Sequence, residues 1–106
     1  MTLYNLSEFT KGWVVGDFNP SLIKSRDAEV AIKRYKKGDY EAPHTHRLAD
    51  EITIVISGMA RINNVNLCED SIAFIKAGES AEFFALTDVV TCVIKSPSVQ
   101  GDKYPV

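Results

Sequence analysis

Three residues of this chain have the types and the spacing to hold a metal ion: His44, His46 and Glu51. His44 and His46 stand two apart, so on an extended chain both imidazoles project from the same face, within reach of one ion. Glu51 lies an odd number of residues beyond His46, and full extension would carry it to the opposite face. A turn across Arg47 to Asp50 must therefore reset the register and let the next strand bring the carboxylate back alongside. Two neutral imidazoles and one carboxylate make a facial set that leaves coordination positions open on a divalent transition metal such as iron, manganese, zinc or nickel. The ion would polarise a carbonyl or stabilise an enediolate as a Lewis acid, or activate dioxygen as an iron centre.

The elements that must position these groups are strands. Apolar and β-branched residues cluster in short runs at 13–15, 30–32, 52–56, 72–75, 81–84 and 89–94. Turn formers fall between the runs, at Gly16-Asp17, Asn19-Pro20, Lys37-Gly38-Asp39, Ser57-Gly58, Asn63-Asn64, Ala77-Gly78 and Pro97. Asn63-Asn64 can supply the two positive-φ residues of a tight hairpin. No segment carries the apolar period of an amphipathic helix beyond about two turns, and the best helical candidate is a short turn around Leu3 to Thr10. In the strand at 52–56, Glu51, Thr53, Val55 and Ser57 share one face and Ile52, Ile54 and Ile56 the other. If the semi-polar face lines a pocket, the isoleucine face needs cover from a second sheet, the N-terminal segment or another subunit, which makes a homodimer an expectation.

The run Gly38-Asp-Tyr-Glu-Ala-Pro-His44-Thr-His46-Arg-Leu-Ala-Asp-Glu51-Ile-Thr-Ile-Val-Ile-Ser-Gly58 resembles the first motif of the cupin superfamily at every defining position and spacing, over 21 of the 106 residues. The resemblance implies an all-β fold, the double-stranded antiparallel β-helix or cupin jelly-roll barrel. Residues 1–106 would then be one cupin domain with an N-terminal arm at 1–12 and a C-terminal tail at 96–106. The family's second motif is poorly kept. Asp70 stands where its first glycine would be, Lys76 replaces the proline, Ala81 the histidine that usually completes the metal site, and Ala85 the asparagine; only Gly78 remains.

Chemistry on the ion would also need a general base, for which Tyr35, Lys33 and Glu82 are available. Tyr35 and Glu82 are the catalytic candidates, although a strand through Ala81 to Phe84 would turn Glu82 away. In the basic run Lys33-Arg34-Tyr35-Lys36-Lys37, Lys33 and Tyr35 share one strand face, and whichever pair points inward could contact an anionic substrate. Trp13, Phe9 and Phe18 read first as core or interface filling and second as a pocket wall. The polar, turn-rich residues 96–104 read as a loosely packed tail, with a lid over the barrel mouth as the alternative.

The composition, 45% hydrophobic and 25% charged with a net charge of −2, is that of an ordinary globular protein with no bias toward polyanions, so nucleic acid is not an expected partner. The apolar runs are far too short to span a membrane, and a cytoplasmic location is the default. Cys68 and Cys92 carry no metal or redox spacing and read as small buried hydrophobes. Two function classes follow. One is a metal-dependent enzyme on a small polar metabolite, a sugar-type isomerase or epimerase or a dioxygenase, with sugar phosphates, nucleotide sugars and keto acids in range. The other is a metal-free cupin that binds a small ligand or acts as a scaffold.

Overall fold

The short apolar runs form strands because their β-branched residues pack on a pleated surface while the intervening glycines, asparagines and prolines turn the chain. The computed structural model describes residues 1–106. In chain order its strands are β1 (Trp13–Val15), β2 (Glu29–Tyr35), β3 (Tyr40–Thr45), β4 (Asp50–Ser57), β5 (Ala60–Ile62), β6 (Val65–Leu67), β7 (Ile72–Ile75), β8 (Ser80–Ala85), β9 (Val89–Ser96) and β10 (Tyr104–Pro105). One sheet has the order β1-β2-β9-β4-β7, the other β10-β3-β8-β5-β6. Every strand pairing is antiparallel. From β2 onward the chain steps back and forth between the sheets, which is the winding of a double-stranded β-helix.

Two motif glycines are needed for different reasons. Gly38 turns β2 into β3 at φ +91°, a conformation costly for any side chain, although nothing lies near the space a Cβ would take. Gly58 ends β4 at φ +85°, and a Cβ there would meet the Asp88 carbonyl oxygen at 2.0 Å. The Asn63-Asn64 hairpin forms as predicted, with φ +48° and +66° joining β5 to β6.

The N-terminal segment forms less helix than expected. A 3-10 turn at Leu6–Glu8 is closed by a capping box between Asn5 and Glu8, and a second, distorted turn at Thr10–Gly12 leads into β1. Phe9 between them is extended, so the backbone cannot continue one helix through it.

Residues 96–106 are not a loose tail. Tyr104 and Pro105 pair with Thr45 and His44 as the edge strand β10, Ser98 is buried with its hydroxyl on Glu29, and Tyr104 stacks under the Arg47 guanidinium at 3.8 Å. The anchors are polar and backbone groups, so no apolar run announces the strand.

On β4, Thr53 and Val55 are buried between the sheets and the isoleucines face outward, as the alternation predicts. The dry core is Val55, Ala60, Ile62, Ile75, Ala81, Phe83, Ala85 and Val89. It fills one end of the barrel and leaves the other end open as a cavity.

Candidate metal centre

The three predicted ligands come from two strands in different sheets. His44 sits near the end of β3, His46 just beyond it, and Glu51 at the start of β4. The register of β3 on β8 shifts between Glu41 and His44, where Pro43 has no N–H to give to a ladder. One donor atom from each of the three residues falls within 4.8 Å of the others, close enough to share one ion.

Both imidazoles are held through the nitrogen away from the cluster. His44 Nδ1–H donates to the Ala42 carbonyl at 3.2 Å, and His46 Nδ1–H donates to the Asp102 carbonyl. Tethering Nδ1 fixes the tautomer and turns the Nε2 lone pairs toward the cluster, the outer-shell arrangement that ligating histidines need. The ring centroids lie 5.1 Å apart at 81°. His46 Nε2 reaches Glu51 Oε1 at 3.4 Å, and the Thr53 hydroxyl donates to Glu51 Oε2 at 3.1 Å.

The local charges differ between the two histidines. Burial pushes the His44 imidazole below its ordinary value, with the nearby Lys103 acting in the same direction. The bond to Glu51 holds His46 above its ordinary value. Burial alone would raise the Glu51 carboxyl, but the hydrogen bond and charge of His46, helped by Thr53, outweigh it and hold it down. His46 and Glu51 therefore favour each other's charged forms, and a divalent cation would compete with a proton for the His46 Nε2.

Asp102 is the residue that spacing did not reveal. Asp102 is 6% exposed; its carboxylate accepts hydrogen bonds from the backbone N–H groups of Arg47, Leu48 and Ala49 at 2.9 to 3.0 Å, while its carbonyl accepts from His46. It thus caps the very turn that resets the register between His46 and Glu51. Burial would raise this carboxyl, but the three N–H donors hold it below its usual range. The only available signal was an acidic residue in a turn-rich segment, fifty-six residues from its partner.

A cavity of ≈ 1060 Å³ opens beside the three ligands. Its wall includes Lys33 and Tyr35, the inward pair of the basic run, together with Trp13, Phe9 and Phe18. These aromatics are a pocket wall, which corrects the preference for core filling. Trp13 stands edge-on to Phe18, and the amines of Lys33 and Lys95 lie over its ring at 5.4 and 5.0 Å. Tyr35 stacks on Phe83 at 4.4 Å and donates its hydroxyl to Glu41 at 2.9 Å. Burial, reinforced by Glu41, pushes its phenol well up, so Tyr35 keeps its proton and suits donation better than the role of a base.

Glu82 does not join the site. Its neighbours Ala81 and Phe83 point into the barrel, so Glu82 takes the outer face of β8, where it accepts a hydrogen bond from the Tyr40 hydroxyl. Ala81, at the second motif's histidine position, lies directly across from His44 in the ladder and lines the cavity. Asp70, in place of the motif glycine, nevertheless adopts φ +72°, a left-handed conformation that glycine takes freely and aspartate tolerates better than most residues. Cys68 is exposed and Cys92 half-buried, both as free thiols, so Cys68 is not the buried hydrophobe expected.

No family model matches the sequence, and no curated protein matches it. Solved structures do. A protein with a double-stranded β-helix domain from Klebsiella pneumoniae is similar with a TM-score of 0.70 at 19% identity, covering 93% of this chain and 87% of that one. KdgF from Halomonas sp. matches with a TM-score of 0.66 at 18% identity over 72% and 74% of the two chains. The DMSP lyase DddQ from Ruegeria pomeroyi matches with a TM-score of 0.72 at 13% identity, covering 94% of this chain and 54% of its own. Further matches are described as RmlC-like and cupin-superfamily proteins. By strand order, winding and these likenesses, the chain has the double-stranded β-helix fold of the cupins.

Proposed function

We propose that the protein binds one divalent transition metal through His44 Nε2, His46 Nε2 and the Glu51 carboxylate, and acts on a small polar metabolite in the adjoining cavity. The observation that carries this reading is the pair of Nδ1 tethers, which aim both Nε2 lone pairs at a carboxylate within 4.8 Å. When bound, the ion supplies Lewis-acid polarisation of a substrate oxygen. The chain's own groups supply the rest. Tyr35 offers a proton held against Glu41, and Glu41 takes part as its acceptor. The aromatic wall of Trp13 and Phe18 excludes water from one side of the substrate. Isomerisation or epimerisation of a small polar metabolite next to a carbonyl, of sugar type or otherwise, would use the ion and the Tyr35 proton; dioxygen chemistry with iron is the alternative.

A second reading, a metal-free cupin that binds or scaffolds a small ligand, is favoured by Ala81, which removes the usual fourth ligand opposite His44. Elemental analysis of the purified protein beside a His44→Ala, His46→Ala double variant separates the two. About one metal per chain, lost in the variant, supports the metal reading; none in either after reconstitution supports the second. The pH dependence follows from His46. Its folded value lies above 6.5, so occupancy holds above that value and falls as acidification protonates the imidazole, while His44 is already neutral there. Full occupancy retained at pH 5 would mean that other groups hold the ion.

We also propose that the protein pairs with a second copy through the outer face of the first sheet. Ile32, Cys92, Ile54 and Ile72 form one row in register across four strands, and Val30, Ile94, Ile52 and Phe74 the next. Neither row contains a charge, and a two-fold axis makes such a face complementary to itself. Sedimentation should give a dimer that an Ile72→Lys, Phe74→Lys variant converts to monomer; a monomeric parent protein removes the proposal. A cytoplasmic location is supported by the exposed free thiol of Cys68, which a reducing compartment would preserve.

A further inference from the structure

The cavity beside the three ligands contains more ammonium charge than its own carboxylates engage. Lys33, Lys95 and Lys103 line it with the exposed Lys11 and Arg34, against the carboxylates of Glu29, Glu41 and Glu51. Lys95 is satisfied, with Glu29 at 3.1 Å. Lys33 is not: its side chain is only 21% exposed, its amine makes no hydrogen bond, and its nearest carboxylate, Glu41, lies at 3.9 Å and is already bonded to Tyr35. Lys103, exposed at the mouth and next to Asp102, makes no ion pair at all. Lys33, Lys103 and His44 all line this one cavity.

Five cationic side chains against three carboxylates give the cavity lining an excess of positive charge even without an ion. A divalent cation on His44, His46 and Glu51 would add to that excess in a concave, partly desolvated space. Such a site selects an anion.

We infer that the ligand is a small organic acid whose carboxylate is taken by Lys33 and Lys103 and whose adjacent carbonyl or hydroxyl oxygen faces the metal; this rests on the metal reading above for the second oxygen only. A phosphate group suits the cavity less well. Phosphate sites draw on free backbone N–H groups at helix N-termini or nests, whereas Lys33 and Lys95 stand on strands whose N–H groups serve the sheet ladders, and the 3-10 turns that also line the cavity are three residues each, the first already capped by Asn5. The Glu29 carboxylate on the Lys95 amine at 3.1 Å shows that the wall accommodates carboxylate against ammonium. The substrate of the proposed activity is therefore a 2-oxo or 2-hydroxy acid, in preference to a neutral sugar or a sugar phosphate.

Trp13 is the single tryptophan of the chain and lies beneath Lys33 in this cavity, so its fluorescence reports occupancy. Zinc-loaded and metal-free protein are titrated with pyruvate, with its neutral amide pyruvamide, and with inorganic phosphate. Pyruvate should give a saturable change and pyruvamide none. Lys103→Met, at an exposed position, and Lys33→Met should each weaken pyruvate about tenfold while zinc content stays at the parent level. Equal binding of pyruvamide, tighter binding of phosphate, or unchanged pyruvate affinity in both variants overturns the inference. A protein that takes up no zinc defeats the metal reading alone. In that case a preference of the metal-free protein for pyruvate over pyruvamide, lost in Lys103→Met, still supports the carboxylate site, and no preference overturns it.

Discussion

The two ends of this barrel are built from the same strands and have opposite characters. Along β4 the inward side chains run Glu51, Thr53, Val55, and along β9 they run Lys95, Val93, Thr91, Val89. At the Val55 and Val89 end the sheets meet in a dry core closed by Ala60, Ile62 and Ala85. At the Glu51 and Lys95 end they stay apart around a polar cavity. Burying charged groups without partners is expensive, and at the open end Glu51 is paired with His46 and Glu29 with Lys95, while Lys33 has only a long contact to Glu41. The contrast teaches that one end holds the fold together while the other is free to hold a ligand, even though β4, β8 and β9 run through both.

The comparison breaks most severely at Phe83, whose ring stacks on Tyr35 in the cavity wall and packs in the dry core behind it. Phe83→Ala should cost ~3–5 kcal/mol of stability, because it removes a large apolar contact and leaves a void joining the two regions. Denaturant unfolding measures this. A loss below ~1 kcal/mol would show that the ring is not part of the core.

The second variant concerns the strap that ties the open end. Asp102→Ala should cost on the order of 2 kcal/mol by orphaning three backbone N–H groups, and should weaken metal binding ~10–100-fold by freeing the turn that aligns His46 with Glu51. Its pH behaviour checks the cause. Because the folded Asp102 carboxyl lies below its unfolded value, its stabilisation is present above pH ~3.9 and disappears as acidification passes the folded value. The variant should therefore lose less stability on acidification than the parent. Metal titration with unaltered affinity would leave Asp102 with no positioning role.

The smallest effect sharpens the contrast by extending the polar end. Ala81→His places an imidazole across from His44, where the fourth ligand of the second cupin motif would stand. Metal affinity measured by competitive chelation should rise about tenfold, with zinc favoured by the more complete donor set. No gain would mean that the His44 and Ala81 pair is misaligned for a shared ion.

Much of the site was legible because it is local. His44, His46 and Glu51 fall within eight residues, and strand alternation with one intervening turn is enough to bring them to one face. The same alternation put Lys33 and Tyr35 on one face without deciding which pair of the run turns inward, turned Glu82 away, and separated an apolar from a semi-polar face on β4. Trp13 was read in the wrong environment because a core and a pocket wall ask for the same aromatic residue. Whether water or protein stands opposite depends on the other sheet.

Sequence alone determined the strand class, the hairpin at Asn63-Asn64, the faces of β4 and the identity of the three candidate ligands, since all of these follow from steric preferences and two-residue periodicity along a short stretch of chain. Tertiary structure decided what lies across from them. The pairing of β10 with β3 brings the Asp102 carbonyl to His46 and its carboxylate to the turn at Arg47 to Ala49, and sets Lys103 at the cavity mouth. Contacts between residues more than fifty positions apart leave no periodic trace in sequence. They depend on which sheet edge the returning chain finds open.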